Sequence, residues 1–268
     1  MADKYVLTDK REGIGTIILN DPAKMNALSR PLADALIKAL EEMWYDDTVR
    51  VVIVRGSGGI FCAGGDVKGM KERVDCYRQG IKPATDPRNN LRNLNRIVTT
   101  IRKMDKPLIA WIEGVVAGGG VSLALASDFS IADESCRFAF AFANIGLAPD
   151  MGSSFLLAQK VGVPKATELF MLGSSISGCQ AADWGVITEA VPRERLEERV
   201  MELAHKLAVG PSRSYAAIKA SLNRVMYQGL DDIMEAEVEM QYNLTHTEDH
   251  MEAVTAFIEK RKPVFKGR

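Results

Sequence analysis

The chain has few cysteines and histidines and no excess of charge of either sign. Its 268 residues include four cysteines and three histidines, and 34 Lys and Arg face 35 Asp and Glu. Cys62, Cys76, Cys136 and Cys179 are widely spaced with no C-x-x-C pair. That argues against a disulfide framework and for reduced, mostly buried thiols of a cytoplasmic protein. A net charge of −1 does not fit a chain built to neutralise nucleic-acid phosphates. No Gly/Pro/Ser-rich or acidic tract marks disorder, and the N-terminus MADKYVLTDKREG lacks the apolar core of a secretory signal. One run, PLIAWIEGVVAGGGVSLALAS at 107–127, has the length of a bilayer span, but it carries Glu113 near its centre and three consecutive glycines at 118–120. A buried strand, a glycine turn and a buried helix account for the same composition, so no membrane contact is expected.

What is present is globular: 47% hydrophobic and 26% charged residues. At about 150 residues per domain the length gives one to two domains. Residues 16–19 read as a strand closed by Asn20-Asp21-Pro22. Ser29 then reads as an N-cap, with Pro31 in the first turn and Leu32, Leu36, Leu40 and Met43 on one helix face. VVIV at 51–54 is a buried strand, whereas the polar stretch 75–90, with Pro83 and Pro87, reads as a mobile surface loop. A helix over 91–103, a strand over 108–111, a helix from about Gly119 and a strand over 129–132 complete an alternation that implies a mainly parallel sheet with crossover helices. Beyond about 195 the strand signals stop, and 196–207, 215–226, 231–242 and 248–260 all have helical periods. The expected organisation is an α/β body over 1–200 and a helical subdomain over 201–268.

Several familiar motifs fail on inspection. Gly118-x-Gly120 has Leu123 where a dinucleotide fingerprint needs its third glycine, and Gly114-x4-Gly119 is followed by Gly-Val rather than Lys-Ser/Thr. Gly152-x-Ser154 lacks the closing glycine of a nucleophile elbow. His246 and His250 are spaced for a metal, but no third ligand is evident, so they read as an exposed helix face and no metal is assigned. Two segments keep an unusual design. Phe61-Cys-Ala-Gly-Gly-Asp66 follows a buried strand with residues small enough for a ligand to approach the backbone. Gly118-Gly-Gly120 opens a helix, where unsatisfied N–H groups favour negative charge. Each can be a tight turn; converging, they would form an oxyanion hole.

In this order and spacing, LNDPAKMNALS (19–29), VVIVRGSGGIFCAGGDVKGM (51–70), KPLIAWIEGVVAGGGVSLALASD (106–128), FAFANIGLAPDMGSSFLLAQKVG (140–162), AADWGVITEAVP (181–192) and AFIEKRKPVFKGR (256–268) resemble the crotonase superfamily, the enoyl-CoA hydratase/isomerase family. The resemblance covers nearly the whole chain. It implies an α/β spiral of β-β-α units with a C-terminal helical trimerisation region, assembled as a homotrimer or a dimer of trimers. It also implies an acyl-CoA thioester as substrate, with coenzyme A part of that substrate and no separate cofactor. Carried over by position, it puts oxyanion donors on the N–H groups of Ala63 and Gly119. Lys24 and Met25, with the Asn26 turn, match the strip at the adenine end of CoA, and Asp66 lies on the pantetheine-side loop. Phe257 and Lys260 match a pair that reaches CoA from a neighbouring subunit.

The departures from the family pattern say more. Hydratases of the family carry two glutamates where this chain has Ser122 and Phe142, and neither can activate water or protonate a carbon. Asp150, in Gly146-Leu-Ala-Pro-Asp150, is similar to the aspartate of phenylacetate-pathway isomerases. Dehalogenases of the family also use an aspartate there, but with a histidine near residue 95, and this chain has none before His205. Glu113 stands where the family usually has Asn and reads as structural. The expected mechanism is a one-base shuttle by Asp150, with Val67, Met70 and Phe142 walling an apolar acyl pocket. The competing role for Asp150 is a helix N-cap, which would keep its pKa low. Hydratase activity and non-catalytic acyl-CoA or RNA binding are the alternative functions.

Overall fold

A computed structural model describes residues 4–268. In chain order the elements are β1 (Val6–Arg11), β2 (Ile14–Leu19), α1 (Arg30–Tyr45), β3 (Val51–Gly56), α2 (Val67–Arg78), α3 (Pro87–Lys103), β4 (Leu108–Ile112), β5 (Val115–Ala117), α4 (Gly119–Ala126), β6 (Phe129–Asp133) and β7 (Arg137–Ala139). There follow α5 (Ser153–Met171), β8 (Ser175–Ser177), α6 (Gly178–Asp183), β9 (Glu189–Val191), α7 (Leu196–Ala208), α8 (Ser212–Met226), α9 (Leu230–Leu244) and α10 (Glu248–Ile258). A six-stranded sheet has the order β1-β2-β3-β4-β6-β9, and a smaller sheet the order β5-β7-β8. In the large sheet only β1 is antiparallel. The spiral is visible in the strand order. β4–β5–α4 and β6–β7–α5 each send one strand to the large sheet and the next to the small one. β3 does the same through a parallel bridge between Cys62 and Val116.

The interior strands β3 and β4 are buried on both faces, which is why VVIV and LIAWI read as continuous apolar runs without alternation. On one face Val52, Val54, Leu108 and Ala110 pack in the main core with Leu32, Leu36 and Leu40 of α1 and Ile97 and Ile101 of α3. On the other, Val51, Ile53, Ile109 and Ile131 meet Leu196, Val200, Ala204 and Leu207 of α7. The boundary expected at 200 falls inside α7, whose apolar face packs on this side of the sheet. The apolar run at 107–127 becomes β4, β5 and α4, and no helix among the described residues is long and apolar enough to cross a membrane.

Two expectations change. The β1–β2 hairpin went unread because its first strand is almost wholly exposed and half charged, as suits a sheet edge. Its turn is Glu12-Gly13, both with positive φ, the signature of a two-residue hairpin loop. The mobile loop expected over 75–90 shrinks to 79–86. α2 continues to Arg78, capped at its start by Asp66 accepting from Gly69 N–H and braced by the Lys71–Asp75 ion pair one turn apart. α3 begins four residues before the expected 91, with Asp86 as its cap and Pro87 in its first turn.

If α7 is part of the body, Leu196→Ala should cost about 2–5 kcal/mol in urea unfolding. A loss below about 0.5 kcal/mol, the range of surface substitutions, would place α7 outside the core.

Candidate active site

The site is built where two backbone segments are laid side by side. Beyond β3 the chain runs parallel to the segment leading into α4: Phe61 N–H donates to Glu113 O (2.8 Å), Cys62 N–H to Val115 O (3.1 Å) and Ala117 N–H to Cys62 O (3.0 Å). The approach is close enough to demand glycine. A Cβ on Gly120 would lie 2.3 Å from the Cys62 carbonyl oxygen, and one on Gly64, whose φ is +86°, would lie 2.5 Å from that of Ala117. A third strip is added by Asn26, fully buried, whose side chain donates to Ser57 O and Ile60 O and accepts from Asp21 N–H. This ties residues 21–26 to the same loop.

The strip decides which N–H groups are free. Ala63, expected as an oxyanion donor, gives its N–H to the Met25 carbonyl at 3.0 Å. Two residues on, the Gly65 N–H has no acceptor among the described residues, and neither has that of Gly119 at the first position of α4. Gly64 holds these two segments together, since a Cβ there would lie 3.2 Å from the Gly119 nitrogen.

Beside the loop is a cavity of about 270 Å³ whose wall includes Lys24, Leu28, Gly65, Met70, Asp150 and Gln241. Asp150 precedes two left-handed residues, Met151 and Gly152, that turn the chain into α5. Its carbonyl accepts from Ser153 N–H and from the Ser122 hydroxyl (3.1 Å). Its carboxyl caps nothing. Oδ2 accepts one hydrogen bond from Gln241 Nε2 (3.3 Å), while Oδ1 is buried without a partner among the described residues. The N-terminus of α5 is served instead by Glu237 of α9, 3% exposed, which accepts from Gly152 N–H (2.7 Å) and from the N–H and hydroxyl of Ser154. Burial, reinforced by the negative charge of Glu237, pushes the Asp150 carboxyl up to about 7, against the Gln241 hydrogen bond that favours ionisation. Glu237 is itself raised by burial, opposed by its three hydrogen bonds.

Comparison with known proteins shows the family. The family model described as enoyl-CoA hydratase/isomerase matches residues 9–268. The chain belongs to the enoyl-CoA hydratase/isomerase family. It is 33% identical over 268 residues to the trans-2-decenoyl-[acyl-carrier-protein] isomerase of Streptococcus mutans, with 99% of each chain covered. It is 34% identical over 266 residues to the 1,2-epoxyphenylacetyl-CoA isomerase of Escherichia coli, again with 99% of each covered. Among solved structures, an enoyl-CoA hydratase from Mycobacterium avium subsp. paratuberculosis superposes with a TM-score of 0.87 at 29% identity, covering 98% of both chains.

The expected site residues of this crotonase-fold chain divide into two groups. Lys24, Asp66, Met70 and Asp150 all line the cavity, although Asp66 spends a carboxylate oxygen on the cap of α2. Met25 is exposed beside it. Val67 and Phe142 are not on the cavity wall, contrary to expectation. Phe142 is 4% exposed in the main core, edge-on to Phe170 at 5.8 Å between ring centroids, because its 3-10 turn points it inward. Phe257 and Lys260, at and beyond the end of α10, are exposed and away from the cavity. Glu113 is held by Arg55 and Arg193, a structural role. The histidine pair is not one exposed face: His246 is exposed, but His250 is buried and bonds Ile145 O through Nδ1. No group of three or more His, Cys, Asp or Glu among the described residues could hold a metal.

Glu237 and Gln241 were missed. They sit one helical turn apart on α9, a spacing that marks a shared face but carries no signal of what that face meets.

A raised carboxyl gives a pH signature in stability. The folded protein holds the Asp150 proton between about 4, the ordinary carboxyl value, and about 7. Its contribution is therefore full below about 4 and is lost as pH rises through about 7. Asp150→Asn, permanently neutral, should stabilise the protein by about 4 kcal/mol at pH 8 relative to its effect at pH 4. Equal effects at both pH values in denaturant titrations would place the carboxyl in an ordinary solvated state.

Proposed function

We propose that the protein isomerises an enoyl thioester by a one-base proton shuttle on Asp150. The observation that carries this reading is the Asp150 carboxyl itself: on a cavity wall, relieved of capping by Glu237, with Oδ1 unpartnered and a pKa near the working range of a general base. The N–H groups of Gly65 and Gly119 replace the expected Ala63–Gly119 pair as the oxyanion donors. They hold the thioester carbonyl oxygen, so that negative charge develops on it as a neighbouring carbon loses its proton. Asp150 takes that proton from one carbon and returns it to another, and the double bond moves. The balance closes with a proton alone, so the shuttle needs no metal or redox group, and coenzyme A enters as part of the substrate.

Hydration asks for a second acid–base group. Both positions at which hydratases of the family carry glutamate are committed elsewhere, Ser122 to the Asp150 carbonyl and Phe142 to the core. That favours isomerisation. The names of two relatives, both isomerases of thioester substrates, support the same class. Self-association as a trimer or dimer of trimers accompanies this reading, with Phe257 and Lys260 meeting the distal part of CoA on a neighbouring copy. The exposed apolar row Ile218, Leu222 and Val225 on α8 supports it. Four free cysteines, two of them buried, support a reducing, cytoplasmic setting.

The test is mass spectrometry of 2- and 3-enoyl-CoA thioesters incubated in heavy water. The wild type should interconvert them and wash deuterium into the α- or γ-carbon. Asp150→Asn should lower turnover about 10²–10⁴-fold and stop the exchange. Full exchange in that variant would assign the base to another residue.

A further inference from the structure

One charge in the cavity has no part in the shuttle. Arg73, on α2, lines the same cavity as Asp150, yet its guanidinium makes no hydrogen bond and no ion pair among the described residues. Every other arginine withdrawn from solvent is paired: Arg55 with Glu113, Arg88 with Asp86, Arg102 with Asp128 and Arg199 with Glu189. Asp66 and Glu72 attract Arg73 through space, and neither makes a contact ion pair or hydrogen bond with it among the described residues. Asp66 accepts the Gly69 N–H, Asp75 pairs with Lys71, and Glu72 is exposed. A guanidinium keeps its charge at any ordinary pH and presents five N–H donors in a fork matched to a carboxylate or phosphate. Holding that charge partly out of water without a partner is costly.

The cavity wall around it is divided. Leu28, Met70, Leu94 and Leu147 supply apolar surface, while Ser29 Oγ and Gln241 Oε1 are buried polar atoms without partners. A plain alkyl chain would fill the apolar part and leave Arg73 unpaired in a drier cavity than before. Resting on the thioester reading above, we infer that Arg73 recognises an anionic oxygen group of the substrate, and that this group is a carboxylate at the far end of the acyl chain. The site therefore selects thioesters of dicarboxylic acids over those of simple fatty acids. The phosphates of coenzyme A carry the same chemistry and are the other source of such an anion.

Binding of non-reacting saturated thioesters separates these outcomes without depending on turnover. Adipyl-CoA and hexanoyl-CoA differ only in the terminal carboxylate, and free coenzyme A supplies the phosphates alone. By calorimetry the wild type should bind adipyl-CoA about 10–100-fold more tightly than hexanoyl-CoA, the range of a charge-assisted pair. Arg73→Met should bring the two affinities to within about twofold of each other. Arg73→Lys, which keeps the charge but not the fork, should retain a reduced preference. Equal wild-type affinities for the two thioesters would overturn the inference and leave the thioester reading standing. Equal weakening of all three ligands by Arg73→Met would assign the anion to a coenzyme A phosphate and overturn it likewise. Failure of every ligand to bind the wild type would overturn the thioester reading itself, and the inference with it.

Discussion

Glu237 reaches from α9 to the head of α5, where its oxygens take the N–H groups of Gly152 and Ser154. An anion is stabilised there by the unsatisfied donors and by the dipole of the helix. Because Glu237 fills that place, Asp150, two residues before the helix cap Gly152, keeps its carboxyl for the cavity. Because Glu237 is also buried and negative, it makes ionisation of Asp150 harder. One contact therefore sets both the availability of the second carboxyl and its affinity for a proton. Gln241, one turn along the same helix, orients that carboxyl and also holds the Ala148 carbonyl.

The opposite side of the site depends on backbone alone. The run of hydrogen bonds from Phe61 to Ala117 brings two chain segments close enough that side chains are excluded at Gly64 and Gly120. The arrangement spends most of the local N–H groups on itself, Ala63 included, and leaves those of Gly65 and Gly119 without acceptors. Rigid donors of this kind need no reorganisation as charge develops on a bound carbonyl, which is the source of their effect. The cavity thus joins fixed donors to a carboxyl held near neutrality, and it ends beside an unpaired cation.

Most of the scaffold was legible in the sequence, because its signals are local. The buried strands β3 and β4 show as unbroken apolar runs, and α7 to α10 as helical periods. α2 went unread, because VKGMKERVDCYR buries only Val74, so its apolar pattern is faint and its cap at Asp66 is the stronger sign. That the Gly65 N–H is free while that of Ala63 is not depends on the Met25 carbonyl, and strand patterning contains nothing about that contact. Asp150 could be found from its place after Gly146-Leu-Ala-Pro, but its state could not. Its partners Glu237 and Gln241 lie 87 and 91 residues away along the chain. Phe142 was misplaced for the opposite reason, since an aromatic at a site position and an aromatic in the core look alike until the backbone turn is known.

Asp150 carries an uncapped carboxyl, its Oδ1 buried, poised near neutral pH, and that state can be read on the atom concerned. Protein carrying ¹³C at aspartate carboxyls, with the Asp150 signal assigned by its absence in Asp150→Asn, should show that carboxyl titrating with a midpoint near 7. A midpoint of about 4, the value of a solvated carboxylate, would show that Asp150 is not poised as a base.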